Sequence, residues 1–88
     1  MNKEKIAFIE NKLSEYNSAV GMLQKGTKVP YVYSDFNSEI GLIGFYVKEK
    51  NDESGLFIDT RYIFIAKNYD EAISFIRGIR LVISYLSF

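Results

Sequence analysis

The chain has 88 residues, 48% hydrophobic and 16% aromatic, with eleven basic and eleven acidic residues, no histidine and no cysteine. A chain this short buries roughly 60–65% of the surface its unfolded form exposes, so it holds one modest core. The apolar content excludes disorder, the charge balance weighs against affinity built on phosphate contacts, and the missing residue types exclude disulfides, cysteine metal sites and Ser-His or Cys-His catalysis.

Residues 2–24 carry helical spacing, with Ile6, Ile9, Leu13, Tyr16, Val20 and Leu23 recurring every three or four positions. Asn2 suits the N-cap and Glu4 the positive end of the dipole. Lys25 falls in the last turn and Gly26 suits a left-handed stop. Gly21, inside the pattern, costs about 1 kcal/mol against Ala and either frays the last turn or admits another backbone. The stripe is expected to pack on a sheet, with a self-paired helical seam as the alternative.

Residues 28–34, KVPYVYS, read as a first strand with Val29, Tyr31 and Tyr33 on one face. Pro30 cannot donate to a ladder, which points to an edge. The stretch SDFNSE, 34–39, is turn-like. Residues 40–49 read as a second strand. Ile43, Phe45 and Val47 point one way; Ile40, Leu42, Tyr46 and Lys48 point the other. Gly41 and Gly44 permit a bulge or a close approach of backbone. Residues 48–55 form a charged connection with Asn51, Asp52 and Gly55 as turn residues.

The third strand, LFIDTRYIFIA at 56–66, is apolar at both ends with a polar triplet between. Strict alternation puts Leu56, Ile58, Thr60, Tyr62 and Phe64 on one face and Phe57, Asp59, Arg61, Ile63 and Ile65 on the other. Residues 69–87 form the second helix. Asn68 and Glu71 have capping-box spacing, and Asp70 and Glu71 lie in the first turn. Ala72, Ile76, Ile79, Ile83 and Leu86 make its seam, widened by Ile73, Phe75 and Val82, so this helix is expected to contact more than one surface.

The order predicts one α+β domain over residues 1–88: helix, three-stranded antiparallel meander, helix (αβββα). The expected arrangement is a two-layer sandwich with both helices on one face of the sheet; one helix on each face is the alternative. With both helices on one side, the open face is expected to carry Phe57, Asp59, Arg61, Ile63 and Ile65, with Leu42 and Tyr46 from the second strand. So many large apolar groups on a free face are uncommon in a monomer.

Chemistry is sparse. Asp35, Glu39, Asp52 and Glu53 fall in expected turns, where turn chemistry accounts for the aspartates. No glycine-rich turn leads into a helix, so no phosphate cradle is expected. The element order is shared with the double-stranded RNA-binding domain, but that family's basic cluster at the start of its last helix is replaced here by NYDEAIS, and no resemblance follows. The expected function is a small non-catalytic protein-binding module of the inhibitor, adaptor or immunity type. It self-associates as a homodimer through an apolar sheet face or helix seam. The alternative is a nucleic-acid-binding accessory protein that uses Lys28, Tyr31, Tyr33 and Lys48. Neither an enzyme nor a cofactor is expected. A cytoplasmic setting without membrane contact is expected, because Ile79–Phe88 is too short to span a bilayer and Ile6–Leu13 is too broken for a secretory leader. The abundance of Ile, Asn, Lys, Tyr and Phe points to an AT-rich genome, such as that of a phage or mobile element.

Overall fold

Asn2 opens the first helix, accepting a hydrogen bond on Oδ1 from the Lys5 amide at 2.8 Å. The computed structural model describes residues 1–23, 28–50 and 58–86. The expected stop at Gly26, the turn residues Asn51, Asp52 and Gly55, and Phe57 lie outside these residues. Helix α1 spans Lys3–Gly21. It closes at Gly21 rather than running on, because the Met22 and Leu23 amides bond back to the Ala19 and Val20 carbonyls at 3.1 and 3.2 Å. This tightening of the last turn satisfies carbonyls that would otherwise be orphaned.

Three strands follow: β1 (Tyr33–Asn37), β2 (Leu42–Lys50) and β3 (Ile58–Ala66), paired antiparallel in the order β1-β2-β3. β1 begins at Tyr33 rather than at residue 28, because α1 occupies the backbone of the segment before it. The Tyr16 hydroxyl donates to the Pro30 carbonyl at 3.1 Å. The Asn17 amide takes both polar groups of Val32, donating to its carbonyl at 2.8 Å and accepting from its N–H at 2.9 Å. The hairpin turn moves correspondingly later. Asn37 Oδ1 accepts from the Glu39 and Ile40 amides, and the Gly41 N–H closes on the Asn37 carbonyl at 2.8 Å. Gly41 sits at φ 69°, a left-handed conformation that glycine adopts without penalty.

Ile43, Phe45 and Val47 of β2 are buried, as is Ala66 of β3. They meet Ile9, Leu13, Tyr16 and Val20 from α1 and Ala72, Ile76 and Ile83 from α2 (Tyr69–Leu86). α1 lies against β1, α2 against β3, and the helices pack on each other. Both therefore cover one face, and the molecule is two layers deep, about 16 Å through its thinnest axis. Each of the Ile, Leu, Val and Phe side chains among them contributes roughly 1.5–3 kcal/mol by leaving water. α2 starts on a reciprocal cap: Asn68 Oδ1 accepts from the Glu71 amide at 2.9 Å, and Glu71 Oε1 accepts from the Lys67 amide at 3.0 Å. Among the described residues, no helix is long and apolar enough to cross a membrane.

Strict alternation fails in β3. Phe45 pairs with Phe64, but the next residue, Tyr46, pairs with Tyr62, leaving Ile63 as an extra residue in a β-bulge. The bulge reverses the face assignment of everything before it. Val47 lies opposite Arg61 and Glu49 opposite Asp59, so Asp59 and Arg61 belong to the helix-bearing face and not, as alternation predicts, to the open one. Tyr62 and Thr60 take the open face, opposite Tyr46 and Lys48. Beyond the bulge, Ile65 opposite Gly44 is on the open face as expected.

Candidate docking surface on the open sheet face

The open face is built around three tyrosines, one from each strand. Register sets Tyr33 opposite Tyr46 and Tyr46 opposite Tyr62. The rings follow, with centroids 5.6 Å apart for the first pair and 5.5 Å for the second. Cross-strand aromatic pairs of this kind stabilise a sheet by roughly 0.2–1 kcal/mol each. At one end of the row the Lys48 ammonium sits 4.6 Å from the centre of the Tyr33 ring, within cation–π range.

Tyr62 reaches furthest. A Cβ at Gly44 would lie 2.5 Å from its Cε1 and 2.8 Å from its Cδ1, so the ring occupies the space that a side chain at 44 would need. Passing over this gap, the Tyr62 hydroxyl donates to Asp35 Oδ2 on β1 at 3.1 Å. That hydrogen bond, followed by desolvation and the nearby Asp35 charge, holds the Tyr62 phenol above its ordinary pKa. The result is a polar staple across all three strands that leaves Tyr62 50% exposed. Apolar groups continue the surface: Leu42 is half-buried, Ile65 is 53% exposed and Ile40, in the turn before β2, is largely exposed.

Of the residues singled out in sequence, the fold brings Leu42, Tyr46 and Ile65 together on this face. Ile63 is exposed at the bulge, without a partner across the ladder. Asp59 and Arg61 are turned away from it, and Phe57 lies outside the described residues. Arg61 reaches Glu49 at 3.6 Å; both side chains are exposed, and such a pair contributes little stability. The second set divides likewise. Tyr33 and Lys48 meet on the open face. The Tyr31 hydroxyl sits beside Gly21 at the end of α1, and Lys28 is exposed ahead of β1. Sequence reasoning missed Tyr62 and Asp35. The available signal was the unbroken run Tyr62–Ile65, which satisfies neither face by alternation, opposite a strand containing Gly44.

The face thus joins aromatic rings to an exposed apolar patch, with one cation and one carboxylate at the margins, a composition shared with the cores of protein interfaces. Tyrosine supplies large contact area at low entropic cost and a hydroxyl for orientation. Compared with known proteins, this chain matches no family, no curated protein and no solved structure.

Proposed function

We propose that this chain is a small non-catalytic protein-binding module of the inhibitor, adaptor or immunity type. It works in the cytoplasm as a homodimer and docks its partner on the open sheet face. One observation carries the reading: the face opposite the helices presents Leu42, Tyr46, Tyr62 and Ile65 as one surface, without a layer of the chain's described residues over it. Monomeric proteins seldom leave such a patch free, and the aromatic enrichment matches that of interface cores. The test is affinity capture from the source organism, comparing wild type with Ile65→Glu and Tyr46→Glu. A partner retained by wild type and lost by both variants, with their circular dichroism unchanged, supports the reading. A partner retained by both overturns the assignment of the face.

A second reading has its own support. Lys48 over Tyr33, beside Tyr46 and Tyr62, resembles a stacking platform for single-stranded nucleic acid. Asp35 on the same face and the zero net charge weigh against it. Binding to an oligonucleotide that weakens steeply with salt, and is lost on Tyr46→Ala, would favour it.

A further inference from the structure

We infer that the groove between α1 and α2, on the outer side of the helical layer, binds an acidic peptide segment of a partner protein. One apolar side chain of that segment seats on the floor of the groove and a carboxylate meets Arg77. The site lies apart from the tyrosine row, and the inference stands whether or not the open face is a docking surface.

The two helices run side by side in the same direction. Near their starts Phe8 meets Tyr69, with ring centroids 6.3 Å apart, and further along Glu15 meets Arg80 at 3.5 Å. Between these contacts opens a groove of about 290 Å³, lined by Phe8, Lys12, Ile73, Ile76, Arg77 and Arg80. The spacings are three and four on both helices, so each set shares one flank of its helix. The floor is aliphatic: Ile76 is 2% exposed and Ile73 is half-buried. Phe8, 42% exposed, makes an aromatic wall.

The rim is positive. Lys12, Arg77 and Arg80 line the groove, and no carboxylate does. Glu15 stands at one end, where its Oε2 is shared between Lys12 at 3.4 Å and Arg80 at 3.5 Å. The Lys12 ammonium also lies 5.3 Å from the centre of the Phe8 ring, within cation–π range. One carboxylate therefore serves two cations, and Arg77 forms no ion pair among the described residues. Arg77 and Arg80 are three apart on one helix, where like charges repel. In a chain of zero net charge this is a local excess of positive charge over an apolar cleft, which concentrates the field there. The fold gains nothing from that crowding, and an anion brought to Arg77 relieves it.

Size and charge together choose the occupant. Small-molecule sites run from roughly 300 to 1,000 Å³, so this groove is at their lower limit and suits one side chain rather than a drug-sized ligand. Its floor calls for an aliphatic or aromatic group, and its rim calls for carboxylates beside that group. A peptide with one Leu or Phe flanked by Asp or Glu offers both within a few residues. That is the buried anchor and polar rim of protein interfaces, with arginine able to take a carboxylate through two parallel hydrogen bonds. Nucleic acid fits less well. Its phosphates need cations spread along a track and its bases need rings to stack on, whereas these cations surround one cavity floored by isoleucine. A bilayer fits less well again, because a floor as recessed as Ile76 does not reach a flat surface.

The test is selection from a displayed library of random-sequence peptides on the immobilised full chain. Enriched peptides are then titrated against wild type, Arg77→Glu, Lys12→Glu and Tyr46→Glu. The expected consensus is one large apolar residue flanked by Asp or Glu, with binding that weakens as salt rises. Arg77→Glu and Lys12→Glu should each weaken it at least about tenfold with circular dichroism unchanged. Arg77 is exposed, so reversing its charge leaves the fold intact, and selection on Arg77→Glu should lose the preference for acidic flanks. No enrichment, a consensus without acidic residues, or binding unchanged in both charge variants overturns the inference. Peptides that bind Arg77→Glu and fail on Tyr46→Glu belong to the open face, which overturns the groove and supports the other surface. A single-stranded oligonucleotide that binds wild type but not Arg77→Glu, with no peptide enriched, gives the groove to nucleic acid and overturns the inference.

Discussion

The Tyr62 hydroxyl donates to Asp35 across the bare backbone of Gly44, so an outer strand is tied to the other outer strand over the top of the central one. The contact depends on the absence of a side chain at 44. Gly44→Ala places a Cβ where the ring lies, and backbone and ring must separate. The expected cost is about 1–3 kcal/mol, typical of overpacking, despite the better strand propensity of Ala. Chemical denaturation measures it. In a Tyr62→Ala background the space is free, so the same glycine substitution costs much less. Additive costs in the double-mutant cycle would show that the ring does not depend on Gly44.

The same hydrogen bond makes a prediction for alkaline pH. The folded-state pKa of Tyr62 is raised, first by the bond to Asp35 and then by desolvation and charge. A raised tyrosine favours the protonated phenol in the folded state. Its contribution is therefore fully present below the unfolded value near 10 and is lost as pH rises through the folded value. Tyr16 behaves likewise because burial raises it. Unfolding free energy should fall above about pH 10, and less steeply in Tyr62→Phe. Phenolate absorbance should show Asp35→Asn bringing one tyrosine back toward the ordinary range. Because Tyr62 is half exposed, solvent screening keeps the effect small.

Much of the scaffold was legible because it rests on local rules. Asn2 and the Asn68–Glu71 pair announced both helix starts, and the buried face of β2 followed from Ile43, Phe45 and Val47 at a period of two. The site was less legible, for two physical reasons. Tyr62, Ile63, Phe64 and Ile65 are apolar on both faces, so periodicity carries no information about where the ladder slips, and one extra residue reverses the earlier half of the strand. The start of β1 depends on Asn17 and Tyr16, about fifteen residues away in sequence, and a helix side chain bonding to a distant backbone leaves no local pattern.

Asn17 provides a prediction of its own. Val32 is buried, and its N–H and C=O are both satisfied by one side-chain amide. Asn17→Ala leaves both groups unpaired and should cost about 1–3 kcal/mol or more. Asn17→Asp retains the acceptor but sets a carboxylate against the Val32 carbonyl, so it should not rescue. Hydrogen exchange at Val32 checks the mechanism: its amide should lose protection in Asn17→Ala while Phe45 keeps its own. Loss of protection at both would mean that the clamp is part of the global fold.

Gly78 tests the solvent-facing side of α2. It lies in the middle of α2, is exposed, and a Cβ there would meet nothing within 4 Å in the single chain. Its φ is not positive, so Ala is unstrained. In isolation Gly78→Ala should therefore stabilise the fold by about 0.5–1 kcal/mol, through helix propensity and a less disordered unfolded state. Chemical denaturation measures the gain, and a loss of stability in its place would mean that the side of α2 at residue 78 is not open to solvent.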